Sequence, residues 1–248
     1  MKAYALTDIG KVRKINQDAK FSSIEPVGAL PNLFLVADGM GGHQAGDFAS
    51  RYLAEYLPKC IEESQKTEPV AILREGIEMA NDALFRMSCQ KEELAGMGTT
   101  LVAASIQKNT LYVANVGDSR LYLIERTGIR QITRDHSYVE AMVSMGQMSR
   151  GSQEYENKKN IITRAVGIGC HVEPDFFEVP IKQGDYILLC SDGLTNMVDN
   201  MAIYRLVLLP GTLHMKARAL AALANQNGGK DNIAVILIDP QLKEVRES

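Results

Sequence analysis

The chain has 248 residues, of which 46% are hydrophobic and 23% charged, and its formal net charge at pH 7 is −3. This composition is ordinary for a globular protein and excludes extensive disorder, while the acidic balance excludes the basic field of most nucleic-acid-binding domains. No apolar run approaches the roughly 20 residues that span a bilayer, and the first residues lack the apolar region of a signal peptide. We therefore expect a cytoplasmic protein with neither a nucleic-acid nor a membrane partner.

The cysteines and the absence of linkers limit the architecture further. Cys60, Cys89, Cys170 and Cys190 form no C-x-x-C pair and no zinc-like spacing, which indicates reduced thiols. No stretch rich in Pro, Gly or Ser divides the sequence, so we predict a single catalytic domain over residues 1–240. A short polar tail at 241–248 follows it, and we expect a monomer.

The first part of the chain predicts three strands and two helices. The strands are expected at residues 3–8, 19–24 and 33–38, the last being the most apolar. Helical spacing predicts a first helix from Gly46 to about Gln65, and we expect Pro58 to bend or end it. A second helix is predicted by an apolar stripe with steps of three and four residues: Leu73, Ile77, Ala80, Leu84 and Met87.

The second part of the chain is rich in β-forming residues. Residues 99–106, 111–116 and 120–124 predict a meander of antiparallel strands, and 131–133 a further short strand. A helix capped by Asp135 or Ser137 should follow. Residues 146–159 are polar and lack helical or strand periodicity, which predicts a surface loop. The remaining predicted elements are strands at 176–179, 186–190 and 233–238 and helices at 202–209 and 215–223.

Two predicted strands end in an acid that is followed by glycine. The strand at 33–38 ends in Asp38 before Gly39, and the strand at 186–190 is followed by Ser191, Asp192 and Gly193. Asp18, Asp118 and Asp231 also lie beside strand ends or turns, the positions from which loops carry functional groups. Acids that converge repel one another unless positive charge is bound. Ligation by oxygen atoms alone favours Mg²⁺ or Mn²⁺ over zinc.

Two such ions about 3.5–4 Å apart activate a water and hold a phosphate, so we predict phosphoester hydrolysis. Arg13 could bind phosphate oxygens bidentately, and His43 is a candidate general acid for the leaving alkoxide. The glycine-rich loop at 39–44 lacks both the G-K-[ST] ending and a complete G-x-G-x-x-G, which disfavours nucleotide cradling. Ser191 lacks the G-x-S-x-G context of a nucleophile and is interpreted as a supporting group.

Several short motifs follow one another along nearly the whole chain. They are Thr7-Asp8-Ile9-Gly10 with Arg13 and Asn16-Gln17-Asp18; Asp38-Gly39-Met40-Gly41-Gly42-His43; Met97-Gly98-Thr99-Thr100; Val116-Gly117-Asp118-Ser119-Arg120; Asp135-His136-Ser137; Ser191-Asp192-Gly193-Leu194; and Gly229-Lys230-Asp231-Asn232. In type and order, these motifs resemble those of the metal-dependent Ser/Thr protein phosphatases of the 2C type, especially the compact bacterial members.

The resemblance implies an α+β fold, a four-layer α-β-β-α sandwich of two antiparallel sheets flanked by antiparallel helices. It implies two Mn²⁺ or Mg²⁺ ions and a third, weaker one. The implied ligands are Asp38, Asp192 and Asp231 for the first ion; Asp38, the Gly39 carbonyl and Asp18, directly or through water, for the second; and Asp118 with Asp192 for the third.

The resemblance also implies the activity: hydrolysis of phosphoserine and phosphothreonine in phosphorylated proteins by direct attack of hydroxide, opposing a Ser/Thr kinase. Two departures stand out. Gln17 replaces a glutamate that many members carry, and the segment at about 137–165, which resembles the family's flap, lacks a His-Pro before Asn160. Two other functions stay open: a catalytically silent module that binds phosphorylated partners, and a nucleotide phosphodiesterase, which the absence of an obvious basic groove disfavours.

Overall fold

The structure, a computed structural model, describes residues 1–41 and 45–241. The strands are β1 (Lys2–Asp8), β2 (Asp18–Ser23), β3 (Leu33–Met40), β4 (Gly98–Thr99), β5 (Leu101–Gln107), β6 (Thr110–Val116), β7 (Arg120–Glu125), β8 (Gly128–Gln131), β9 (Asp175–Pro180), β10 (Tyr186–Cys190) and β11 (Ile233–Asp239). The α-helices are α1 (Ala45–Glu63), α2 (Pro69–Gln90), α3 (Tyr138–Ser144), α4 (Gln153–Lys158), α5 (Asp192–Thr195), α6 (Asn200–Leu208) and α7 (Leu213–Gln226).

The strands form two antiparallel sheets. One sheet has the order β1-β11-β10-β7-β8, and the other has the order β2-β3-β5-β6-β9 with β4 paired to β3. The predicted meander holds for β5 and β6 but is wrong for β7, which pairs with β8 and β10 in the opposite sheet. Strand propensity does not say which sheet a strand joins, and the turn at 117–119 crosses between the two sheets.

Three buried clusters separate four layers. In β3, Leu35 packs under α1 and α2, whereas the neighbouring Phe34 faces the other sheet, as expected from the alternation of side chains along a strand. Helices α6 and α7 cover the outer face of the sheet that contains β11, with Leu220 and Leu237 in the same buried cluster. This arrangement confirms the predicted α-β-β-α sandwich of antiparallel sheets.

Two local predictions need correction. Helix α1 runs from Ala45 to Glu63, close to the predicted range, and Pro58 does not end it, since Leu57 and Ile61 on either side of the proline are fully buried in the core. The predicted surface loop at 146–159 contains a helix, α4, whose first turn is capped by the Ser152 side chain. Since α4 buries none of its residues, it has no apolar stripe by which the sequence could reveal it.

Two further expectations concern membranes and the end of the chain. Among residues 1–41 and 45–241, no helix is both long and apolar enough to cross a membrane. The predicted polar tail at 241–248 lies, apart from Gln241, outside the described residues.

Candidate metal centre between the two sheets

The first two acids face each other across neighbouring strands. Asp18 at the start of β2 is the register partner of Asp38 near the end of β3. The backbone of Asp38 is fixed from both directions: its carbonyl accepts from the Thr100 amide at 2.8 Å, and its amide donates to Thr100 Oγ1 at 3.0 Å. The buried strand thus delivers a carboxylate at a defined position, as the sequence predicts.

Two more acids come from the opposite sheet. Asp192 follows β10 and begins α5, and Asp231 lies two residues before β11. The sheets are joined here by Ser191, whose hydroxyl donates to Asp18 Oδ2 at 2.6 Å and accepts from the Ala234 amide at 2.8 Å. This serine therefore supports a carboxylate, which is the role the sequence favoured over a nucleophile.

The glycines after Asp38 and Asp192 share one physical cause. A Cβ atom on Gly39 would lie 1.9 Å from the Gly46 carbonyl oxygen, and one on Gly193 would lie 1.9 Å from the Asn232 carbonyl oxygen. Such distances are far inside van der Waals contact. Each Asp-Gly pair is thus an acid at a strand end, followed by the one residue that lets a second backbone pass.

The acids are close enough to perturb one another. Burial raises the pKa of Asp38 well above its ordinary value, and the charges of Asp18 and Asp192 raise it further. Burial likewise raises the pKa of Asp18 to about 8, that of Asp118 to about 7 and that of Asp192 to about 6. The charges of Asp118 and Asp231 also raise the pKa of Asp38. All five predicted acids therefore lie in one cluster. Bound positive charge would reverse these shifts.

The donors in this cluster suit a hard divalent cation. Asp18 Oδ1 and Asp192 Oδ1 are buried and have no hydrogen-bond partner among the described residues. A cation would satisfy both atoms, and carboxylate oxygens are the ligands that Mg²⁺ and Mn²⁺ prefer. Among residues 1–41 and 45–241, the side chains as placed form no group of three or more His, Cys, Asp or Glu that could hold a metal ion. Some of the carboxylate oxygens accept hydrogen bonds from the protein: Asn196 Nδ2 donates to Asp192 Oδ2 at 2.9 Å.

Arg13 lies at the mouth of the cluster. Its Nη2 donates to Asp231 Oδ2 at 2.7 Å, while 47% of the arginine side chain remains exposed. The guanidinium is thus beside the acids and accessible to a ligand from solvent. A planar group with several donors at this place suits a phosphate.

Asn232 holds the loop that carries Arg13, a role that the sequence analysis missed. Its side-chain oxygen accepts from the Gln17 amide at 2.9 Å, and its Nδ2 donates to the carbonyls of Ile9 and Ile15 at 2.9 and 3.0 Å. The only signal in the sequence was an asparagine directly after a candidate ligand. Nothing in that pattern indicates contacts more than 200 residues away.

Asp118 lies in the turn by which the chain crosses between the sheets. The next residue, Ser119, is bonded through its hydroxyl to Thr100 Oγ1 at 2.7 Å, so the turn rests on the same threonine as Asp38. A second missed contact follows it: Arg120 binds both carboxylate oxygens of Asp135, with Nη2 at 2.6 Å from Oδ2. The turn is therefore supported on both sides.

The flap segment borders this part of the site. A cleft of about 170 Å³ lies between Asp118 and Asp192 on one side and Tyr155, Lys159 and Asn160 of the flap on the other. The candidate general acid, His43, lies outside the described residues.

The chain is similar to known proteins over nearly its whole length. The family model "Protein phosphatase 2C" matches residues 16–141. "Serine/threonine phosphatase stp" of Listeria monocytogenes is 39% identical over 248 residues, covering 98% of each chain.

Solved structures agree in fold. A structure titled "Crystal structure of bacterial serine phosphatase" has a TM-score of 0.90 and 36% identity, and the match covers 99% of this chain and 100% of that one. The Ser/Thr phosphatase Stp1 from Staphylococcus aureus has a TM-score of 0.88 and 36% identity, with 95% of this chain and 93% of that chain covered. The chain belongs to the protein phosphatase 2C family.

Proposed function

We propose that this member of the protein phosphatase 2C family hydrolyses phosphoserine and phosphothreonine in proteins, with two Mn²⁺ or Mg²⁺ ions held by the acid cluster. The observation that supports it best is the convergence of Asp38, Asp18 and Asp192 from two sheets, with Asp18 Oδ1 and Asp192 Oδ1 buried and unpartnered. When these buried acids are ionised, their negative charge needs a cation, and oxygen ligands select a hard one.

Each acid has a proposed place in this arrangement. Asp38, Asp192 and Asp231 hold the first ion. Asp38, the Gly39 carbonyl and Asp18 hold the second, and Asp118 with Asp192 holds a weaker third. When bound, the ions supply a nucleophile at neutral pH and positive charge for the phosphate.

Arg13 is the proposed phosphate ligand. Its guanidinium pairs with Asp231 yet stays half-exposed, so an incoming phosphate can share it without a large rearrangement. Two parallel N–H donors orient the phosphate relative to the acids, a geometry that lysine cannot copy. His43 remains the proposed general acid, which would hand a proton to the leaving seryl or threonyl oxygen.

The remaining expectations are also proposals. The phosphorylated substrates imply a Ser/Thr kinase as counterpart, and the flap at about 137–165, beside the cleft, would influence substrate choice. We propose one catalytic domain over 1–240. A monomeric state and a cytoplasmic location stay predictions from the sequence.

The decisive test is turnover of a phosphothreonine peptide by the purified protein with Mn²⁺. We expect hydrolysis, and we expect Asp38→Asn to lower the rate at least about a hundredfold, because losing a ligand to both ions removes several kcal/mol of transition-state stabilisation. Asp82→Asn is the matched control: its carboxylate is exposed and pairs with the exposed Arg86, so the rate should not change. An inactive wild-type protein, or an active Asp38→Asn variant, would refute the proposal.

The same assay separates the other functions. A protein that binds the phosphopeptide but does not turn over even a simple aryl phosphate would be a silent recognition module. Faster cleavage of a nucleotide diester than of the phosphopeptide would indicate a phosphodiesterase.

A further inference from the structure

His136 is a buried side chain to which the proposed chemistry assigns no role. Only 7% of it is exposed, although it lies between the turn of Asp118 and the start of the flap. It belongs to the motif Asp135-His136-Ser137, in which Asp135 binds Arg120 and Ser137 caps α3. The histidine needs a separate explanation.

Both backbone polar groups of Gly117 are bonded to His136. The His136 amide donates to the Gly117 carbonyl at 2.9 Å, and the Gly117 amide donates to His136 Nδ1 at 3.2 Å. Gly117 has φ +101°, and a Cβ atom there would lie 2.7 Å from the Thr100 side chain. The residue before Asp118 is thus held by the histidine on one side and by close packing on the other.

These bonds define the tautomer of the ring. Nδ1 accepts a hydrogen bond, so it carries no proton, and the proton of the neutral ring must be on Nε2. Nε2 lies 3.2 Å from Asp175 Oδ2, which can accept that proton's hydrogen bond, and at a longer 3.5 Å from Arg164 Nη1. Asp175 is oriented by Arg164, whose Nη1 donates to its other oxygen at 3.1 Å. Burial lowers the pKa of His136, which also favours the neutral ring.

The same histidine is bonded to the end of the flap. The Thr163 amide donates to the His136 carbonyl at 2.7 Å, and the neighbouring Tyr138 amide donates to the Ile161 carbonyl at 2.8 Å. Arg164, which orients Asp175, is the next residue after Thr163. His136 therefore contacts both the turn that carries Asp118 and the segment where the flap rejoins the sheet.

We propose that His136, as the neutral ring with its proton on Nε2, is the positioning residue that holds the turn of Gly117 and Asp118 for cation binding and ties it to the end of the flap. In one respect this rests on the proposed function, since Asp118 is a ligand only if the cluster binds cations. The contact with Gly117 itself requires no metal.

The ring can be examined directly in the wild-type protein. With nitrogen-15 in the histidines, two-dimensional NMR at neutral pH distinguishes the two neutral tautomers and the charged ring. We expect the Nε2–H tautomer for His136, with and without Mg²⁺. A proton on Nδ1, or a charged ring, would overturn the proposal, and this measurement depends on neither activity nor a variant.

Two substitutions separate positioning from mere filling of space. In His136→Asn, the side-chain carbonyl oxygen can take the place of Nδ1 and keep the bond to the Gly117 amide, whereas His136→Leu fills the site without an acceptor. We expect the Gly117 amide resonance to stay near its wild-type position in the first variant and to move in the second. His171→Asn, at an exposed histidine, is the matched control and should leave that resonance unchanged.

Calorimetric titration with Mg²⁺ then tests the consequence for the cluster. We expect the weakest Mg²⁺ site to lose about tenfold in affinity in His136→Leu, a typical effect of removing a partner that orients a ligand, and much less in His136→Asn. Equal affinities in both variants would overturn the positioning role.

If His136→Leu does not fold, the proposal is still tested by the ring tautomer and by the comparison of His136→Asn with wild type. If wild type binds no Mg²⁺, the metal proposal fails while the tautomer and the Gly117 resonance still test the contact.

Discussion

The floor of the candidate site, meaning the acid cluster and the buried side chains that support it, is stabilised differently from the flap at about 137–165. On the floor, buried side chains join residues far apart in sequence, as when Ser191 bonds Asp18 across 173 positions. In the flap, Glu140 accepts from Arg150 and Tyr155, only 10 and 15 residues away, and 70% of the Arg150 side chain is exposed. Buried contacts fix geometry, whereas exposed ion pairs contribute little. The floor is therefore suited to keeping the site residues in a fixed geometry. The flap can change in sequence or conformation without loss of the fold.

The largest expected effect tests an arginine of the floor. Arg120→Ala removes a bidentate partner from Asp135, whose side chain is only 8% exposed, and leaves a buried carboxylate without its counter-charge. We expect the free energy of unfolding to fall by about 3 kcal/mol, the lower end for breaking a buried pair. Urea unfolding measures it. A loss below about 1 kcal/mol would remove the distinction between floor and flap.

A smaller effect concerns the charge of the floor without its cations. Burial raises the pKa values of Asp18, Asp118 and Asp192 to about 8, 7 and 6, above the value near 4 of an unfolded chain. The folded protein then holds more protons than the unfolded chain, so its free energy of unfolding falls as the pH rises from about 4 to 8. We expect the Tm of EDTA-treated protein to drop by at least about 2–4 °C over this window, corresponding to about 1 kcal/mol.

Adding Mg²⁺ at pH 8 should restore the Tm, since bound cations stabilise the ionised acids. Glu140 of the flap differs in direction: burial would raise its pKa, but hydrogen bonds from Arg150 and Tyr155 outweigh burial and lower it. A Tm that stays level or rises toward pH 8 in EDTA would show that the cluster is not electrostatically strained.

The smallest effect is expected in the flap. Arg150→Ala removes an ion pair with Glu140 of the same chemical kind as the Arg120 pair, but an exposed one. We expect a change in the free energy of unfolding of at most about 1 kcal/mol and an unchanged rate on a small aryl phosphate. Urea unfolding and steady-state kinetics check both. Destabilisation as large as that of Arg120→Ala would mean that the flap is part of the rigid floor.

The sequence predicts the floor better than it predicts the contacts that support it. Asp38 and Asp192 can be found because an acid and a glycine after an apolar run is a local pattern. The sequence alone gives no role for Asn232 and His136. Their partners, Gln17 and Gly117, lie outside the short motifs that contain them, so those motifs do not indicate the contacts. Helix α4 was missed for the opposite reason: it is local but buries nothing.

The pairing of β1 with β11 has a consequence for when the enzyme can become active. These strands lie side by side although Lys2 and Asp239 stand at opposite ends of the described chain, and Asp231 enters the site only with β11. Contacts of such long sequence separation close late and slowly. A chain still being synthesised, N-terminal part first, lacks one proposed ligand of the first ion until Asp231 and β11 have emerged. Dephosphorylation would thus begin only after β11 has paired with β1 and brought Asp231 into the site.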